Sequence, residues 1–253
     1  MVAPFPDLPS DRRAVVVLEQ HEIDRCSRLG ETQLLTAPQT HVLVHPIMPQ
    51  QGSVAIANIV AAQLDRPGTI LVQSPFEPDI YADASEAVEQ FALTKHMLFS
   101  NFCQALGAEK VSVTQIDTIL DRKSQSIKLE GRKSLVKGEL SVGESSSDIL
   151  ESSLSLVDHY GGGSPDLDKA EDFLRAYRLL SDSNMRSLLQ ARKNSDNPIK
   201  KRNLTLDLST EANKSMQVVG KLKLPTVAFS ADYKNAVSSE RKYVLTMEVV
   251  FPE

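Results

Sequence analysis

The chain has 253 residues, of which 41% are hydrophobic and 24% charged, and carries a formal net charge of −5. That length supports a sizeable core, with roughly 11,000 Å² of folded surface against about 40,000 Å² unfolded, and the composition excludes disorder, collagen and coiled coil as the dominant state. A pI near 5.6 supplies no global field for nucleic acid or an anionic membrane, so either would need a local patch.

The composition changes near residue 84. Residues 1–83 hold nine of the thirteen prolines, ten acids, five arginines and no lysine, since the first lysine is Lys95. The N-terminus lacks the basic and apolar regions of a secretory signal. The run Val54 to Leu64 is shorter than the ~20 residues needed to span a bilayer. Cys26 and Cys103 show no pairing motif. A reducing, cytoplasmic setting is the expectation these features set.

Within this first block Ala14 to Leu18, Thr40 to His45 and Thr69 to Gln73 read as short buried strands rich in β-branched residues. Between the last two, Val54, Ile56, Ile59, Val60 and Leu64 have helical spacing, with Ser53 as N-cap. The block is therefore expected to be a small α/β layer. From Ala84 to Leu106, apolar residues at Val88, Phe91, Leu98, Phe99, Phe102 and Leu106 predict a helix closed by Gly107. Strands joined by polar turns are expected next, at 111–116, 127–129, 140–142 and 154–156, as an antiparallel sheet with one wet face.

The order then recurs. Ser164-Pro165-Asp166 signals a helix start, with Ser164 as N-cap and Pro165 at the first position. Helical patterns run from Leu167 to Tyr177 and from Ser183 to Lys193. Strands are expected at 204–208, 216–219, 222–224, 227–229 and 243–251. Val111–Thr114 overlays Leu204–Asp207 at an offset of 93, and Lys123-Ser124 overlays Lys214-Ser215 at 91. This predicts an α+β fold, with a small N-terminal α/β layer (1–83) followed by two related helix-plus-antiparallel-β-meander units at 84–163 and 164–253.

Few residues offer chemistry. His41 and His45 fall on a strand, where four residues at ~3.3 Å hold their Cα atoms about 13 Å apart, too far to share a metal. The stretch His21 to Cys26 is not a zinc-protease motif, and Cys26 and Cys103 read as inert buried thiols. Gly161-Gly162-Gly163 leads to a helix start that carries Asp166 and Asp168, which would repel a phosphate. Lys95 lies on an apolar stripe and is expected to snorkel. No catalytic, metal or cofactor-binding residues are expected.

Lys200-Lys201-Arg202 is the basic cluster, with no aromatic residue between Met185 and Met216 to stack a base. It is the candidate contact for an anion or an acidic partner. The segment Ser112 to Ser155 has 11 serines and alternates small polar with aliphatic residues, a pattern shared by one-faced sheets and membrane-crossing hairpins. The expected function is a non-enzymatic assembly subunit working through protein association or self-association. A β-rich membrane-perturbing protein and an enzyme with an unreadable site are the alternatives. Nucleic acid is not an expected partner.

Overall fold

The computed structural model describes residues 4–47, 53–120, 123–128, 154, 157–194, 196–225, 228–239 and 241–252. Its contacts divide into two units, residues 1–90 with 211–239 and residues 91–210 with 240–253. The composition change near 84 thus falls close to the first crossing. The expected boundary at 163/164 falls inside the second unit.

In the first unit β1 (Ala14–Glu19) passes directly into α1 (Gln20–Arg28), followed by β2 (Thr40–His45), α2 (Val54–Ala61), β3 (Thr69–Gln73) and β4 (Tyr81–Asp83). The sheet order is β2-β1-β3-β4, with β1 and β2 parallel and the remaining pairs antiparallel. Ala14 to Leu18 are all fully buried, so the unbroken apolar run is a strand covered on both faces. One face packs Val15, Val17, Leu43, Leu71 and Tyr81 against Ala55, Ile56 and Ile59 of α2. Sequence reading missed α1, although its signal is present. Glu19 and Glu22 form a capping box in which the Glu19 N–H donates to Glu22 Oε2 at 2.8 Å.

The second unit begins within α3 (Ala87–Ala105) and continues with β5 (Lys110–Leu120), β6 (Lys123–Lys128), β7 (Val157–His159), α4 (Leu167–Ala176), α5 (Ser183–Lys193), β8 (Lys201–Asp207) and β9 (Arg241–Val250). Its antiparallel sheet runs β6-β5-β9-β8, with β7 also paired to β5. A bulge between Val113 and Gln115 keeps the alternation in phase. Val111, Val113, Ile116 and Thr118 therefore all point inward, opposite Val249, Met247, Leu245 and Tyr243. The other face carries Gln115, Asp117, Asn203, Thr205, Thr246 and Glu248 and is wet, as the alternation predicts.

The chain then returns to the first unit as α6 (Thr210–Val219) and α7 (Ala231–Ser238). Here the expected strands are corrected. Met216–Val219 lies in α6, 222–224 forms no strand, and Phe229 precedes α7 in a turn, with Val227 outside the described residues. The physical reason is local. Asp207 Oδ1 accepts from the Ser209 and Thr210 N–H groups at 2.9 and 3.1 Å, a turn that nucleates α6. Ser230 Oγ caps α7 by accepting from the Tyr233 N–H at 3.1 Å.

The α+β class holds, with an N-terminal α/β layer and later helix–strand segments. Val111–Thr114 and Leu204–Asp207 are both strands, whereas Lys123-Ser124 lies on β6 and Lys214-Ser215 on α6, so the overlaid positions part there. The two later segments supply strands to one sheet. The expected strand at 140–142 lies outside the described residues, as do Ser155 and Leu156.

Phe102 is fully buried on α3. Phe102→Ala is expected to cost about 3–5 kcal/mol in urea unfolding, as large aromatic truncations in cores do. A loss below ~1 kcal/mol would place this face of α3 in solvent.

Candidate functional site

Most sequence candidates resolve into structural roles. His41 is 7% exposed and packs edge-on against the Phe5 ring at 5.1 Å, and burial pulls its pKa below the ordinary value. Among the described residues no group of three or more metal-ligand side chains comes together. Cys26 and Cys103 are buried free thiols. Burial pushes both upward, with Glu31 and Glu22 adding to the rise at Cys26 and Asp158 at Cys103, so neither is poised as a thiolate.

At the glycine run, Asp166 is the N-cap rather than Ser164, because its carboxylate accepts from the Lys169 N–H at 3.0 Å. The same carboxylate occupies the place an anion would take. On the buried side of β7, Ser100 donates to Asp158 Oδ2 and shares a hydrogen bond with the Tyr160 hydroxyl. This cluster fastens β7 to α3. Both hydroxyls are committed to a carboxylate, and burial raises the Tyr160 phenol.

Lys95 departs most from expectation. It does not snorkel: it is 1% exposed, and its ammonium donates to Asp182 Oδ2 at 2.9 Å and to the Asp207 carbonyl at 2.8 Å. Asp182 simultaneously caps α5, its Oδ1 accepting from the Asn184 and Met185 N–H groups at 3.0 and 3.1 Å. One buried cation thus ties α3, the start of α5 and the end of β8 together. No sequence signal could show this, since the Asp207 carbonyl is 112 positions away.

The Lys200-Lys201-Arg202 cluster lies where β8 begins. The Phe251 N–H donates to the Lys200 carbonyl at 2.8 Å and the Leu208 N–H to the Tyr243 carbonyl at 2.9 Å. Even-numbered backbone groups of β8 therefore bond to β9, and odd-numbered ones point to the opposite edge. Along that edge the Thr205 carbonyl accepts from Asn184 Nδ2 at 2.7 Å and the Asp207 carbonyl is held by Lys95. The N–H and carbonyl of Lys201 and Asn203 and the N–H of Thr205 have no partner among the described residues, and all three residues are exposed. This is an open strand edge, closed off at one end by side chains.

Helix α5 runs antiparallel to β8 beside that edge. Asn184 lies at Thr205, Ser187 at Arg202, and Gln190 and Ala191 next to Ile199 and Lys200. At the last of these the two elements enclose an open groove of about 630 Å³ lined by Gln190, Ala191, Asn194, Asn197, Pro198 and Lys200. The structure separates the three basic residues. Lys201 faces the wet side and pairs with Glu248 at 2.7 Å. Arg202 faces the helices and donates to the neutral Ser187 Oγ at 2.9 Å, and Lys200 lines the groove.

Arg192, which lies upstream of the basic cluster in the sequence, is drawn into the interior instead of adding to a solvated patch. It is 7% exposed, donates to the Leu106 and Ile199 carbonyls at 3.2 and 3.1 Å, and lies 4.2 Å over the Phe251 ring. Lys193 in the last turn of α5 and Arg175 of α4 grip Glu171 and hold its carboxyl down at about 2.

The protein is thus of the α+β class, and among the described residues β8 is an edge strand that lies next to a groove. No protein-family model matches the chain, and no curated protein or solved structure matches it. Among the described residues no helix is long and apolar enough to cross a membrane. The serine-rich stretch that prompted the pore-forming alternative lies largely outside the described residues.

Proposed function

We propose that this protein works by association, as an assembly subunit whose docking surface is the free edge of β8. The observation that supports this reading is the row of edge-facing backbone groups that have no partner among the described residues, the N–H and carbonyl of Lys201 and Asn203 and the N–H of Thr205, on three exposed residues near an open groove. Such an edge is a template for an added strand, in which backbone hydrogen bonds supply affinity and neighbouring pockets supply selectivity. Blocking of the Thr205 and Asp207 carbonyls shortens the template, so pairing is limited to a short segment of defined register.

Asn203→Pro tests the reading. The Asn203 N–H points away from β9, so proline removes a group of the free edge without removing a ladder bond. The variant is expected to stay folded by circular dichroism while losing the co-purifying partner, or the self-association seen by light scattering, that the wild type shows. An unchanged partner or oligomeric state in a folded variant would remove the edge from the reading. A wild type that is strictly monomeric at every concentration and salt, and retains no partner, would move the assignment to an enzyme.

A further inference from the structure

Resting on the strand-addition reading above, we infer that the occupant of the β8 edge is an extended segment of a partner protein carrying acidic side chains at alternate positions. The charge of the site carries the inference. Between Gln190 and Asn203 there are five basic residues and one acid, Asp196. Two of the five are neutralised, Lys193 by Glu171 and Lys201 by Glu248. Arg192, Lys200 and Arg202 have no carboxylate partner among the described residues. Arg202 is bonded to a hydroxyl and Arg192 to two carbonyls.

The pleat then sets the spacing. Lys200 and Arg202 are two residues apart and face the same side, toward α5, whereas Lys201, Asn203 and Thr205 face the other. A strand added along this edge places every second side chain beside that pair of cations. Directly opposed charges of unlike sign stabilise such pairings, and like charges oppose them. The buried Arg192 behind Ile199 adds a positive field to the same side, in surroundings less screened than open solvent. On the outer side Asn203 and Thr205 offer no charge, so β-branched or small polar residues suit the intervening positions.

The test uses the whole chain and three end-blocked hexapeptides, Thr-Glu-Val-Glu-Val-Thr and its counterparts with both Glu residues replaced by Gln or by Lys, in fluorescence or calorimetric titrations. The Glu peptide is expected to bind about tenfold more tightly than the Gln peptide, as two cross-strand charge pairs provide. The Lys peptide should bind more weakly still, and rising salt should erase the differences. In a Lys200→Glu, Arg202→Glu double variant the order should invert. Lys200→Glu alone, an exposed change, should abolish most of the Glu preference if the double variant does not fold.

The outcomes separate the two readings. Equal binding of Glu and Gln peptides, both lost in Asn203→Pro, overturns the acidic occupant and leaves strand addition standing. Glu-peptide binding that survives Asn203→Pro overturns strand addition itself. Absence of binding by every peptide at millimolar concentration overturns the acidic strand, while the co-purification experiment judges association independently.

Discussion

Lys95→Met is expected to destabilise the protein by about 3–5 kcal/mol in urea unfolding. Removing one partner of a buried ion pair strands the other in a medium that cannot solvate it. The Asp182 side chain is 9% exposed, and its Oδ2 faces the Lys95 ammonium. The methionine fills most of the lysine's volume, so the loss reports charge and hydrogen bonds rather than a cavity. Asp182→Asn keeps an oxygen to cap α5 and should cost a comparable amount by removing the carboxylate charge that faces the Lys95 ammonium. The double variant should be less destabilised than the sum of the two singles by several kcal/mol, because both charges leave together. A loss below ~1 kcal/mol in Lys95→Met would mean that the ammonium is solvated in the native state.

Lys95 also bears on the edge reading. Its ammonium occupies the Asp207 carbonyl, so Lys95→Met uncovers a further acceptor on β8. Concentration-dependent scattering should rise in this variant more than in an equally destabilised Phe102→Ala protein. Equal scattering in the two would attribute any aggregation to instability alone.

Gly107→Ala should be nearly as damaging, by about 2–5 kcal/mol. Gly107 ends α3 with φ +77°, and the Ala108 N–H returns to the Cys103 carbonyl at 3.0 Å to close the helix. An L-residue there meets the left-handed penalty of roughly 1–2 kcal/mol. Its Cβ would also stand 2.2 Å from the Gly163 carbonyl oxygen and 3.3 Å from the Pro165 nitrogen, both backbone atoms that cannot turn away. Overpacking of that kind typically adds about 1–3 kcal/mol. Gly161→Ala is the control: no atom lies within 4 Å of the added Cβ, and the change should stay within about 0.5 kcal/mol of wild type. A small effect at Gly107, equal to that at Gly161, would mean that the α3 end and the glycine run do not meet.

How much was legible in the sequence follows the range over which each signal acts. The capping glycine after α3, the start of α5 at Ser183 and the buried runs of β1, β2 and β3 are fixed by local chemistry, and each was readable. At 216–219 the apolar spacing fits both periods, and a strand expected from the sequence is a helix in the structure. Val218-Val219 closes a helix whose buried positions include Ala212, although the pair itself suggests a strand. In α1 the reverse happened: a polar, charged segment hides a helix whose capping box was present but unread.

The basic cluster shows the same division. Residue pattern alone is enough to place positive charge at Lys200-Lys201-Arg202, to make the protein α+β, and to give the later sheet one wet face. It could not determine which charges remain uncompensated, because Glu248 and Ser187 reach the cluster only through β9 and α5. Nor could it show that β8 is an edge strand among the described residues, since strand order depends on pairings between residues far apart in the chain. Tertiary structure decided both, and with them the depth of Lys95: an ammonium is buried when a carboxylate and a carbonyl from distant elements converge on it, a condition no local pattern of side chains can express.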